Sequence, residues 1–144
     1  MFKKLLVPLD LTDKHQAVLA TAAELAQQNG GDVTLLHVIE VIAGLSIEED
    51  KGFFNRLERS ADKHLQGYLK GLMKRQIPCQ KKVLIGNRAR EIVAFAAENG
   101  AELILLTAPR FDPSNPTASW GSLSYKVGLL SQCPVLLVKG SAQT

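Results

Sequence analysis

Five short apolar runs, each separated from the next by a longer stretch with helical spacing, constrain this chain more than any other feature. The runs are Leu5 to Leu9, Val33 to Val38, Lys82 to Ile85, Leu103 to Leu106 and Val135 to Val138. Most are continuously apolar rather than alternating, as in parallel strands covered on both faces. The third is the weakest, since only Val83, Leu84 and Ile85 are apolar without interruption.

The stretches between the runs read as helices. The first is expected to begin near Asp13, with Thr12 or Asp13 as N-cap, to turn Val18, Ala22, Leu25 and Ala26 inward, and to stop at Gly30-Gly31. The second is expected from about Glu49 to Arg75, with Phe54, Leu57, Ala61, Leu65, Leu69 and Leu72 at helical spacing and Pro78 marking the turn into the third strand. The third spans Arg88 to Asn99, with Ile92, Val93 and Ala96 inward and Gly100 as its stop. The fourth begins near Ser119 or Gly121, carries Leu123, Val127 and Leu130, and ends before Pro134. The order βαβαβαβαβ demands crossover connections and gives one α/β domain over residues 1–144: a five-stranded parallel sheet with helices on both faces. The segment Glu40 to Asp50 is the longest connector before the final loop and reads as a mobile flap over one end of the sheet.

Composition narrows the function classes. An apolar content of 46% in 144 residues supports a real core and argues against disorder. The 17 basic and 14 acidic residues are spread along the chain, and the five Phe are not interleaved with basic residues, so no nucleic-acid surface is expected. Cys79 and Cys133 lie far apart, with no CxxC and no His at ligand spacing; they read as small buried hydrophobes rather than as a disulfide or metal site. The opening MFKKLLVPLD has an apolar run too short for a signal peptide, and nothing approaches a membrane-spanning length. A cytoplasmic protein without membrane insertion is expected.

An open α/β sheet binds ligands outside the carboxyl ends of its strands, where the strand order reverses. Two windings are common for five strands. In the order 3-2-1-4-5 the first and fourth strands meet at the reversal, so that Leu9-Asp10-Leu11 faces Thr107-Ala108, with Val38 and Ile39 alongside. Asp10 is the acid that directly ends a strand at this edge. It can accept from a ribose hydroxyl or an adenine amino group; equally, it can cap the first helix or form an Asx-turn with Thr12. From Ala101 to Lys139 the chain reads as strand, Pro-punctuated loop, helix N-terminus and strand. A helix N-terminus of this kind offers unpaired N–H groups and a positive dipole end, which suit a phosphate.

These segments together resemble the universal stress protein family, the UspA-like branch of the adenine-nucleotide α-hydrolase-like folds. KKLLVPLDLTD resembles the family's opening strand with its acidic end, and DVTLLHVIE its second strand. The stretch from Gly86 to Val93 resembles the entry to the third helix, AELILLT the fourth strand, and Gly121-Ser122 with KVGLLSQCPVLLVK the closing helix and strand. The resemblance implies the strand order 3-2-1-4-5 and a homodimer that pairs the last strands of two subunits, here through Val135, Leu136, Leu137 and Val138. An apolar strand that ends a sheet has unpaired backbone groups, which gives the dimer a physical basis.

Nucleotide-binding members carry G-x-x-G, nine residues, then G-S or G-T. Gly121-Ser122 is present, but the earlier glycines would fall at Ala108 and Phe111, or with one inserted residue at Thr107 and Arg110. A Cβ at such positions blocks positive φ and close approach to a triphosphate, and Pro109, Pro113 and Pro116 remove amide donors. Arg110 is a cation able to take phosphate bidentately, and Ser114, Thr117, Ser119 and Ser122 supply hydroxyls. Trp120 reads as a lid or packing residue. AMP would ask less of this loop than ATP. The candidate nucleotide-contacting residues implied are Pro8, Asp10, Leu11, Val38, Thr107, Ala108, Arg110, Gly121, Ser122 and Leu123.

Two functions fit: a regulatory module that senses AMP or ATP through a degenerate loop, and a nucleotide-independent dimeric module that engages another protein. Catalysis is not expected. His15, His37 and His64 fall on a helix, a strand and a helix with no nucleophile evident beside them, and no GxSxG, Walker A or HExxH is present. His37, in an apolar strand, reads as a satisfied core histidine.

Overall fold

The computed structural model describes residues 1–41, 48–108, 113–117 and 122–140. Its strands are β1 (Lys4–Pro8), β2 (Asp32–Glu40), β3 (Cys79–Gly86), β4 (Leu103–Ala108) and β5 (Val135–Lys139). Between them run α1 (Gln16–Asn29), α2 (Lys51–Lys74), α3 (Arg88–Glu98) and α4 (Leu123–Leu130). The strands form one sheet in the order β3-β2-β1-β4-β5, and every neighbouring pair is parallel.

The apolar runs of β1, β2 and β4 are continuous because both faces of those strands are covered. Leu5, Val7 and Leu9 pack with Val18, Ala22 and Ala26 of α1 and Leu65, Leu69 and Leu72 of α2. Leu6 turns to the other face and packs with Ile92 and Ala96 of α3 and Val127 of α4. Several boundaries differ from the sequence expectation. The third strand begins at Cys79 rather than Lys82, because as an edge strand it carries Gln80 and Lys82 on exposed positions and hides its own pattern. In α1, Ala23 is buried and Leu25 only half-buried; in α4, Leu130 is 59% exposed rather than inward.

The start of α1 is the larger correction. Neither Thr12 nor Asp13 caps it: the N-cap is His15, whose carbonyl accepts from the Leu19 amide at 3.0 Å. Thr12 lies three residues before that N-cap and makes other contacts. Its hydroxyl and amide both go to Asp10, and its carbonyl accepts from the Tyr68 hydroxyl at 2.9 Å. Cys79 and Cys133 are half-buried free thiols rather than fully buried. Residues 42–47 of the connector read as a flap lie outside the described residues.

A candidate ligand cleft at the strand reversal

β1 and β4 pair only through Leu5↔Leu103 and Leu6↔Ile104, whereas β1 stays paired with β2 as far as Pro8↔Leu36. Successive amides of a strand point to opposite neighbours. The Leu9 amide reaches β2, donating to Leu36 O at 2.8 Å, so the N–H absent at Pro8 is the one that would face β4. The two strands therefore part above this level, and a cleft of about 760 Å³ opens between their carboxyl ends. That is within the range of small-molecule sites.

Its apolar lining comes from Leu36 and Val38 of β2, Leu106 of β4, Ile92 of α3 and Leu123 of α4. Asp10, Asp13, Lys14, His15 and Arg88 bring charge or a titratable ring, and Thr107, Ser122 and Ser124 bring hydroxyls. Of the residues expected from sequence, Pro8, Asp10, Val38, Thr107, Ala108, Ser122 and Leu123 meet at this one cleft. Leu11 does not line it; it is 36% exposed in the bend after Asp10. Arg110 and Gly121 lie outside the described residues, as do Pro109, Phe111, Ser119 and Trp120. Ser114 and Thr117 are exposed and do not line the cleft.

The turn carrying Asp10 is tied down from several sides. His37 is buried at the far end of β2 and donates from Nδ1 to Leu9 O at 2.8 Å, so both backbone groups of Leu9 are held by β2. His37 is thus the satisfied core histidine its apolar strand suggested. Burial pushes it below its usual imidazole value, more than the Leu9 carbonyl holds it up. Asp10 makes an Asx-turn, accepting from the Thr12 amide at 3.0 Å, and does not cap a helix. His15 Nε2 lies 2.6 Å from Asp10 Oδ1, and Lys14 Nζ 3.4 Å from Oδ2.

Burial alone would raise the Asp10 carboxyl. The hydrogen bonds from the Thr12 hydroxyl, from His15 and from the Thr12 amide outweigh it and hold Asp10 well below the usual carboxylate range. The other ring nitrogen, His15 Nδ1, is 2.8 Å from Thr107 Oγ1 at the end of β4. Sequence reasoning missed this link, having placed His15 within a helix. The Asp10-to-His15 spacing was visible, but its use depends on Thr107, which no local pattern brings near.

On the opposite wall Ser122 is the N-cap of α4, and its hydroxyl oxygen accepts from the Tyr125 amide at 3.3 Å. Asn87 caps α3 in the same way through Arg90 N at 3.0 Å, which places Arg88 at the rim. Arg88 is also 3.7 Å from Glu40, so its charge is shared with a carboxylate. Among the described residues no group of His, Cys, Asp and Glu is placed to hold a metal ion. No described helix is long and apolar enough to cross a membrane.

A parallel sheet in the order 3-2-1-4-5 with a polar-floored cleft at its reversal defines an α/β protein of the adenine-nucleotide α-hydrolase-like fold. The sequence model of the Universal stress protein family matches residues 1–139, and the chain belongs to that family. A similar relative is Universal stress protein YxiE of Bacillus subtilis, 28% identical, with 96% of this chain and all of YxiE covered. Among solved structures, hypothetical protein MJ0577 superposes with a TM-score of 0.81 at 24% identity, over 99% of this chain and 100% of that one. The universal stress protein of Archaeoglobus fulgidus, solved in complex with dAMP, superposes with a TM-score of 0.71 at 22% identity, over 96% of this chain and 100% of that one.

Proposed function

We propose that this chain is a cytoplasmic regulatory binding protein of the universal stress type that takes an adenine nucleotide, AMP in preference to ATP, in the cleft between β1 and β4. The observation that carries the reading is that Asp10 and Ser122, 112 positions apart in sequence, line the same cleft. Asp10 is an ionised acceptor for a sugar hydroxyl or base amino group, Val38 and Leu36 are apolar surface for a base, and the N-terminus of α4 lies where a phosphate would gain from its dipole. The Archaeoglobus relative with dAMP supports the ligand class. Without glycine at 107 or 108 the chain has lost a means of wrapping a triphosphate, which favours the shorter ligand. The test is calorimetry of the wild-type protein with AMP, ADP and ATP. Saturable binding weakened by Asp10→Ala supports the reading; no heat with any of the three refutes it.

The missing glycines also favour a second reading, a nucleotide-independent module that acts by pairing with another protein. In both readings the chain is a homodimer through β5. That strand ends the sheet, with Leu136 38% and Leu137 45% exposed, so its outer edge and two leucines are free to meet a second copy. Leu136→Glu is expected to shift the size-exclusion mass from dimer to monomer. An unchanged dimer would mean that another surface holds it.

A further inference from the structure

The hydrogen bonds across the cleft floor give one hydroxyl a direction. The His15 ring, 3% exposed, sits between Asp10 Oδ1 at 2.6 Å from Nε2 and Thr107 Oγ1 at 2.8 Å from Nδ1. An ionised carboxylate only accepts, so Nε2 must be the donor in the first contact. Lys14, 3.4 Å from Asp10 Oδ2, already supplies a cation to that carboxylate. A neutral imidazole has one N–H; with it on Nε2, Nδ1 presents a lone pair. The single proton of Thr107 then points at Nδ1, and only lone pairs of Oγ1 remain for the cleft. The threonine methyl is on the side of Gly140, where an added Cβ would meet Thr107 Cγ2 at 3.9 Å.

We infer that His15, held as the neutral Nε2–H tautomer, makes Thr107 a hydrogen-bond acceptor in the cleft, so that this wall takes a donor group of the ligand, a sugar hydroxyl or an amino group, and turns away a phosphate oxygen. The inference rests on the nucleotide reading above and deepens it. A phosphate oxygen, itself an acceptor, gains nothing from Oγ1 lone pairs and loses water by approaching them. Thr107 is also a position where a phosphate-wrapping glycine would fall when one residue is inserted, so the exchange of glycine for threonine replaces a bare backbone with a fixed acceptor. His15 is the positioning residue: it touches no ligand in this scheme and acts by fixing where the Thr107 proton lies.

Two measurements test this. Nitrogen-15 spectra of the wild-type imidazoles at pH 7.5, with no ligand, are expected to show His15 protonated at Nε2 and unprotonated at Nδ1, with the Nδ1 signal moving in Thr107→Val as its hydrogen bond is lost. An imidazolium, or a proton on Nδ1, overturns the inference before any ligand is added. In calorimetry the wild type is expected to bind AMP more tightly than ATP. Thr107→Val should weaken AMP about fivefold, the effect of one lost hydrogen bond. Thr107→Ser, which keeps the acceptor, should restore it. AMP binding that Thr107→Val leaves unchanged overturns the inference and leaves the nucleotide reading standing; ATP bound as tightly as AMP by the wild type overturns both the inference and the AMP preference, and leaves only adenine-nucleotide binding standing. Absence of binding by the wild type refutes the nucleotide reading and takes the ligand-selecting role down with it.

Discussion

Gly30 and Gly31 are adjacent, yet a methyl group added at each meets a different obstacle. Gly30 is the C-cap of α1, at φ 66° and ψ 38°, and a Cβ built there has nothing within 4 Å. The cost of Gly30→Ala is therefore backbone strain alone, about 1 kcal/mol for an alanine in the left-handed region. At Gly31 a Cβ would sit 2.3 Å from Lys3 O and 2.7 Å from Lys3 Cα. Both are backbone atoms at the entry to β1, so no side chain can swing aside. Relief requires β1 and β2 to move apart by about 1 Å to regain van der Waals distance. That movement also stretches the 2.7 Å hydrogen bond from the Asp32 amide to Lys3 O, which sets the β1–β2 register. Overpacking of about 2 kcal/mol and a hydrogen bond of about 1 kcal/mol put Gly31→Ala near 3 kcal/mol. Equilibrium urea unfolding of the two variants, with m held constant, reads the difference directly. If Gly31→Ala costs no more than Gly30→Ala, the close approach of β1 to the turn does not fix the register as described.

Two pH predictions follow from the ties around Asp10. The folded carboxyl titrates below its unfolded value of about 3.9, so its contribution to stability is present above that pH and is lost as pH falls through the folded value. Asp10→Asn should lower stability at neutral pH and flatten the acid limb of urea midpoints; an acid limb as steep as that of the wild type would contradict the assignment. His37 is depressed by burial, so its unfolded form binds more protons below about pH 6.5 and wild-type stability should decline as pH falls past that point. His37→Asn, which retains a donor for Leu9 O, should remove that part of the slope in the same urea series, and persistence of the slope would assign it elsewhere.

The sheet's centre was legible because burial on both faces leaves a strand no choice but continuous apolar residues. β1, β2 and β4 show it. At the edges the signal weakens. Lys81 of β3 turns back to an ion pair with Asp62 of α2 at 2.9 Å, so a charged residue belongs to the strand without breaking the packing. The entry to α3 at Arg88 was legible, with Asn87 capping it through its side chain, whereas α4 starts at Leu123, after the Ser119 or Gly121 expected, with Ser122 as its cap. The entry to α1 was not legible, because Thr12 belongs to the Asx-turn of Asp10 and is held by Tyr68 of α2, which moves the cap on to His15. The site divides in the same way. Asp10 and Val38 could be placed from strand ends alone. His15 and Arg88 could not: the role of His15 depends on Thr107, 92 positions later, and the place of Arg88 at the rim depends on how α3 packs beneath the reversal.

The ties described at the cleft floor come from residues outside the loop after β4. Leu9 is held at both backbone groups by β2, Thr12 by α2 through Tyr68, and Asp10 by Thr12 and His15, while His15 in turn is joined to β4. Beyond the turn itself, the ties come from β2, α2 and β4, and each of these elements is anchored in one or both of the two cores on either side of the sheet. A ligand therefore meets acceptors that are already oriented, and pays little ordering cost to use them. On the nucleotide reading proposed above, loop divergence is expected to alter which phosphate chain is tolerated sooner than it abolishes recognition of the nucleoside. Removing Asp10 acts at the opposite end of that division, since it strips the acceptor and loosens the turn, His15 and Thr107 together.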